Sequence, residues 1–237
     1  MRSRLPGVII IGACLILSSI AFGIFFYQSR LPGKTIRVVG AATRRMGSDI
    51  IKWRLTIMRH VPVDGLKNGY TQIGGDQKTF KALLKRNGID PGDLKVQPVN
   101  TNEVYGPQGG GPTGYNVMQS YYLISRDLVT IESLALNPGV LSDQSLIIQS
   151  SNLEYYSSKL NEIKRALLFA ATSDARGRAE EIAKSTGDRI DNIESARTGV
   201  FQITEPYSTE VSDYGVYNTS TKEKDITVTV NVVFKLR

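Results

Sequence analysis

The stretch from Gly7 to Tyr27 holds 21 residues and no charge. As one helix it would be about 31 Å long, which matches the hydrocarbon core of a bilayer. Arg2 and Arg4 precede it, and Tyr27, Gln28 and Arg30 follow, as at an interfacial boundary. An uncleaved anchor over 7–27 is therefore the favoured reading. A cleaved signal peptide would end after Ser19-Ile20-Ala21, but that leaves Phe-Gly-Ile-Phe-Phe as an apolar terminus. A lipidated Cys14 would be followed by more apolar residues where a polar tether is needed. Arg2 and Arg4 favour an inside N-terminus over residues 1–6. Arg30, Lys34 and Arg37 on the other flank weaken that bias.

Beyond a short breaker in 28–34, residues 35–237 suit one domain or two small intertwined halves. Hydrophobic residues make up 41% of the chain and charged ones 22%, so a sizeable core is affordable and disorder is excluded. The net charge of +7 shows no basic stripe interleaved with aromatics, which argues against nucleic acid as a partner. Cys14 is the single cysteine, so the domain has no disulfide, thiolate metal site or cysteine nucleophile.

Thr35–Ala41 predicts a strand, followed by a turn over Arg44–Ser48. Ile51, Trp53, Leu55, Ile57 and Val61 alternate with polar residues, as in a half-buried strand. Asp64–Asn87 carries a helical pattern ended by Gly88. Gly69, Gly74 and Gly75 weaken it, so packing must hold it or it breaks near Gly74. Leu94–Val104 and Tyr115–Ser125 form a hairpin around a glycine-rich flexible tip. Leu128–Leu136 is a short helix stopped by Asn137-Pro138-Gly139, and Ser145–Leu153 is a strand. Tyr155–Ser185 is the longest helix, with Leu160, Ile163, Leu167, Ala170, Ala171, Ala175, Ala179 and Ile182 as its buried stripe. Strands follow at Ile190–Ile203 and Ile226–Leu236, separated by a polar loop over Thr204–Lys222. The order ββαββαβαββ predicts an α+β fold. Two long helices and one short one would pack on a largely antiparallel sheet, beyond one N-terminal transmembrane helix.

Ile36-Arg-Val-Val-Gly40 at the domain start, Asn87-Gly88-Ile89 leading through Asp93-Leu94 to Gln97, the alanine-rich run Asp174–Gly187, and Val228–Phe234 together resemble the SIMPL-domain family. The resemblance spans about Thr35 to Arg237 and rests on order and spacing rather than one motif. It implies a bacterial periplasmic or membrane-anchored α+β protein. Members include a ring-forming periplasmic immunogenic protein and proteins linked to oxidative-stress defence. It supplies no catalytic residues.

The residues offer little chemistry of their own. His60, the single histidine, lies on the polar face of a strand with no visible catalytic partner. Glu180 and Glu181 point apart on a helix, and Asp188 and Asp191 sit in a turn. Gly109-Gly110-Gly111 stands between two strands rather than before a helix, which is wrong for a phosphate cradle. Asn218-Thr219-Ser220 matches a glycosylation sequon. No enzyme, cofactor or metal is therefore expected. Tyr105, Tyr115, Tyr207, Tyr214 and Tyr217 form a candidate interaction surface, because tyrosine pairs an apolar ring with a polar tip. The expected protein is non-enzymatic, held in the bilayer through 7–27 as a single-pass inner-membrane protein, periplasmic beyond it, and homo-oligomeric. Secretion after signal cleavage is the alternative placement. A binding module for a lipid, peptide or protein, or a cell-wall-directed enzyme, is the alternative function.

Overall fold

The computed structural model describes residues 5–30, 34–107 and 110–237, with first-helix side chains described from 11 to 27. Residues 1–4, 31–33 and 108–109 lie outside it. With them go most of the expected cytoplasmic stretch, part of the linker and part of the hairpin tip.

Leu5–Arg30 is one continuous helix (α1). Its described side chains are exposed around the whole circumference apart from half-buried Gly12, and Phe22 stacks on Phe26 at 5.9 Å. Among the described residues no helix is long and apolar enough to cross a membrane. Residues 7–10 of the expected span lie outside the described side chains.

The elements that follow are β1 (Thr35–Gly47), β2 (Ile50–Pro62), α2 (Leu66–Arg86), β3 (Lys95–Tyr105), β4 (Pro112–Ser125), α3 (Leu128–Ala135), α4 (Pro138–Ser142), β5 (Ile148–Tyr156), α5 (Leu160–Thr186), β6 (Ile190–Thr198), β7 (Gln202–Thr204), β8 (Val216–Tyr217) and β9 (Glu223–Leu236). The α+β class and the dominance of antiparallel pairing are as expected. The strands form two sheets rather than one. One runs β1-β9-β7-β8 with β6 also paired to β9, and the other runs β3-β4-β2-β5. The short β7–β8 pair is parallel.

Three expectations need correction. The predicted turn at Arg44–Ser48 is instead the end of β1, because Arg45 and Thr43 find partners on β9. Pro138 starts the extra helix α4 instead of ending a segment, since proline suits a first helical position. The strand expected over 190–203 divides into β6 and β7. Of the two alternatives for α2, held by packing or broken near Gly74, the first is observed: the helix is unbroken through its three glycines.

The chain divides into two compact units. The larger comprises 41–171 and 198–229. Its core lies between α2, α3 and the four-stranded sheet, where Ile51, Trp53, Leu55 and Ile57 are buried as the alternation predicts. Phe80 of α2 meets Trp53 at 5.5 Å and Tyr121 at 5.6 Å, both edge-on. Gly69 lets α2 approach the sheet closely: a Cβ there would sit 2.9 Å from Val117 Cγ2. One ion pair stands at the core's margin. Arg59 donates from Nε to Asp76 Oδ2 at 2.7 Å, and from Nη2 to Asp76 Oδ1 at 2.6 Å and to the Ser145 carbonyl at 2.8 Å. Asp76 is buried, so this fork joins α2, β2 and the segment before β5.

The smaller unit comprises 1–40, 172–197 and 230–237. Here Val38 of β1 and Val230, Val232 and Phe234 of β9 are buried, with Ala175, Ala179 and Ala183 of α5. Along all of α5 the buried positions are Ile163, Leu167, Ala171, Ala175, Ala179 and Ala183, a strict step of four. Ala170 and Ile182, expected in that stripe, are exposed.

Candidate interaction surface

The five singled-out tyrosines fall in two places within the larger unit. Tyr105 and Tyr115 stand on the β3–β4 hairpin, where Tyr115 pairs with Glu103 in register. Tyr105 is exposed and its hydroxyl donates to Glu103, whose charge raises the phenol's pKa. Tyr115 packs half-buried against the core, so it presents little ring to a partner.

The other three belong to the segment after β7. Gln202 pins this loop at both ends of its amide: Nε2 donates to the Ser212 carbonyl at 2.7 Å, and Oε1 accepts from Ser212 N at 3.4 Å. Gly215 closes it at φ +86°, where a Cβ would lie 2.8 Å from the Phe201 carbonyl oxygen. Asn218 Oδ1 accepts from Ser220 N at 3.0 Å and Thr221 N at 3.2 Å, while Nδ2 donates to Glu205 at 2.8 Å. The glycosylation-like triplet thus builds a turn.

Tyr207 is held at φ +64° and is 86% exposed. Arg45 lies 4.6 Å from the ring centroid and donates from Nη1 to the hydroxyl at 3.3 Å. The same guanidinium forks onto Asp225 at 2.9 and 3.1 Å. That pairing holds the Asp225 carboxyl below its usual range and raises Arg45. Tyr214 is 97% exposed and Val211 78%. Beside them opens a groove of about 530 Å³ lined by Gly199, Val200, Val211, Ser212, Thr227 and Thr229. Tyr217 is half-open, and burial raises its phenol. The loop therefore offers rigidly mounted apolar groups to the outside.

The remaining candidates do not converge on a catalytic arrangement. The His60 ring meets an amide, Asn116 Oδ1, at 2.9 Å. Glu180 pairs with Arg176 at 3.0 Å, Asp188 with Lys34 at 3.9 Å and Asp191 with Arg237 at 2.8 Å. Exposed Glu181 lines a shallow groove with Arg37 and Arg178. Among the described residues no three His, Cys, Asp or Glu side chains gather as metal ligands. The open face of the four-stranded sheet carries Arg54, Thr56, Ser120, Ser150 and Asn152 around a groove of about 430 Å³. That is the polar side of a sheet covered on its other face.

A family model described as SIMPL, protein of unknown function (DUF541), matches residues 36–234. The chain belongs to the SIMPL family. No curated protein matches it closely enough to be called a relative.

One group in this SIMPL domain was missed in the sequence. Lys224 is 1% exposed, its amine donating to the Thr221 carbonyl and lying 5.9 Å from the Tyr155 ring. Burial pushes the ammonium down to about 8. Tyr155 in turn is pushed up to about 12 by burial and by Glu132. Glu132 itself is engaged by Lys222 at 3.1 Å. The signal was present: Lys224 continues the even-numbered inward face of Ile226, Val228, Val230, Val232 and Phe234.

Proposed function

We propose that this SIMPL protein is a non-enzymatic, membrane-anchored domain of the bacterial envelope that self-assembles through exposed loops. Its single-pass anchor would be residues 7–27, with the domain on the periplasmic side. The observation that carries the anchor is α1 itself. A continuous helix whose side chains over 11–27 are mostly apolar and exposed suits apolar surroundings. Assembly draws support from Tyr207, Val211 and Tyr214, exposed on a loop braced by Gln202, Arg45 and Asp225. Ordered aromatic groups lose little entropy on docking, so they suit a protein interface. A role in envelope or oxidative-stress defence follows from the family resemblance.

The test is a pair of measurements on the full chain. Alkaline carbonate washing of cell membranes reports the anchor, and a chain released into the wash refutes it. Light scattering in detergent reports the assembly. Tyr207→Ser with Tyr214→Ser is expected to shift the chain towards monomer. A wild-type monomer across a hundredfold range of concentration refutes self-assembly.

A second reading has its own observation. The open groove beside Val211 would suit an extended peptide or acyl chain, making the domain a binding module. Native mass spectrometry of the detergent-solubilised chain distinguishes it by a bound adduct that survives purification.

A further inference from the structure

Within the smaller unit, three stretches far apart in sequence come together at one end of the sheet. The Lys34 carbonyl accepts from Leu236 N at 2.9 Å, and Arg189 and Arg237 exchange two backbone hydrogen bonds at 3.0 and 2.8 Å. The turn from α5 into β6 joins them, with Gly187 N bonded to the Lys184 carbonyl at 3.3 Å. Residues 34, 184–191 and 235–237 thus share one end, carrying Lys34, Lys184, Arg189, Lys235 and Arg237 against Asp188 and Asp191. All five cations are exposed. A free chain end at Arg237 would add one carboxylate and leave the sign unchanged. The rest of residues 31–237 is close to balanced, with 21 lysines and arginines against 20 acids. The domain's positive excess is therefore concentrated here.

This is also the end at which the chain arrives from α1. Three residues separate Arg30 from Lys34, a reach of about 14 Å at full extension. If α1 is seated in lipid, the cationic end is tethered within that distance of the headgroups. Cations near an anionic membrane surface are attracted, and the attraction fades over a Debye length.

We propose that Lys34, Lys184, Arg189, Lys235 and Arg237 form a docking surface for anionic lipid headgroups, seating the SIMPL domain against the membrane that α1 enters. The proposal rests on the anchor reading and adds to it. An anchor alone leaves the domain free to swing, whereas a docked end fixes its orientation. The two ion pairs at this end, Lys34–Asp188 and Arg237–Asp191, are solvent-exposed and hold their cations weakly.

The test places the full chain in nanodiscs of phosphatidylcholine alone and of phosphatidylcholine with about 30% phosphatidylglycerol, and follows hydrogen exchange. Peptides covering 184–191 and 230–237 should exchange about threefold or more slowly in the anionic discs at low salt. About 0.5 M salt should abolish the difference. Lys184→Gln, Arg189→Gln, Lys235→Gln and Arg237→Gln combined should behave alike in both discs while keeping the wild-type urea midpoint. Equal wild-type exchange in the two discs overturns the docking surface. Carbonate-resistant insertion into neutral vesicles reports the anchor separately. A chain that washes off neutral vesicles, yet floats with anionic ones in a salt-sensitive way, supports the docking surface and defeats the anchor.

Discussion

Replacing Lys224 with methionine should stabilise the protein at neutral pH. The amine is almost wholly buried beneath the Tyr155 ring and bonded to one backbone carbonyl, with no carboxylate paired to it among the described residues. Its pKa falls from 10.5 to about 8 on folding. The unfolded chain then binds the proton more tightly, so stability rises with pH between those values. At pH 7 the charged amine costs about 3 kcal/mol, because every tenfold loss of proton affinity is worth about 1.4 kcal/mol. Methionine fills a similar volume without charge, and loses one hydrogen bond worth about 1 kcal/mol. A net gain of about 2 kcal/mol is expected at pH 7, a rise in Tm of roughly 4–8 °C for a chain of this size. The diagnostic feature is its pH dependence. Urea unfolding of wild type and Lys224→Met in detergent should show the methionine advantage shrinking by about 2 kcal/mol between pH 7 and pH 9.5. An advantage independent of pH, or a variant less stable at pH 7, would refute the reasoning.

Other outcomes follow from the same structure. Asp76→Ala strands the Arg59 guanidinium at the core margin and should cost about 3–5 kcal/mol in urea unfolding, more than Arg59 and Asp76 replaced together by leucine and methionine. Gly74→Ala and Gly75→Ala, where a Cβ meets open space, should each stabilise by about 1 kcal/mol. Gly69→Ala, whose Cβ would press on Val117 and Val61, should destabilise by about 1–3 kcal/mol despite the same gain in helix propensity. On acidification, the carboxyls lowered by folding should withdraw their support, among them Asp49 held by Ser158, Asp127 by Thr130 and Asp225 by Arg45. Lowered carboxyls stabilise fully above their unfolded value of about 4, so urea midpoints should fall as pH drops through the folded values. Arg45→Met should blunt that fall by freeing Asp225.

Much of the fold was legible because burial is periodic. The alternation of Ile51, Trp53, Leu55 and Ile57, and of Ile226 to Phe234, is reproduced as buried faces. Gly88 adopts the left-handed stop its position implied, at φ +78°. What escaped is what tertiary contacts decide. The polar end of β1 is a strand because Arg45 and Thr43 reach across to Asp225 and Thr227, 180 and 184 residues away. One of the three glycines of α2, Gly69, packs where a Cβ would press on Val117 and Val61 of the sheet. In α5 a 3.6-residue period admitted Ala170 and Ile182, whereas the surface it covers selects every fourth residue. Of the five tyrosines singled out, Tyr207 and Tyr214 stand in a loop, whereas Tyr105, Tyr115 and Tyr217 lie in strands. Separating half-buried Tyr115 from open Tyr207 and Tyr214 took the tertiary structure, and so did the burial of Lys224.

The interleaving of the two units constrains how the molecule is made. Residues 172–197 and 230–237 belong to the unit that begins the chain, and 198–229 to the one that occupies its middle. During synthesis the first unit must wait for the last few residues before its β-strands can be completed. A ribosome stalled anywhere before about residue 230 would therefore hold a chain with exposed strand edges, a state that attracts chaperones and proteases.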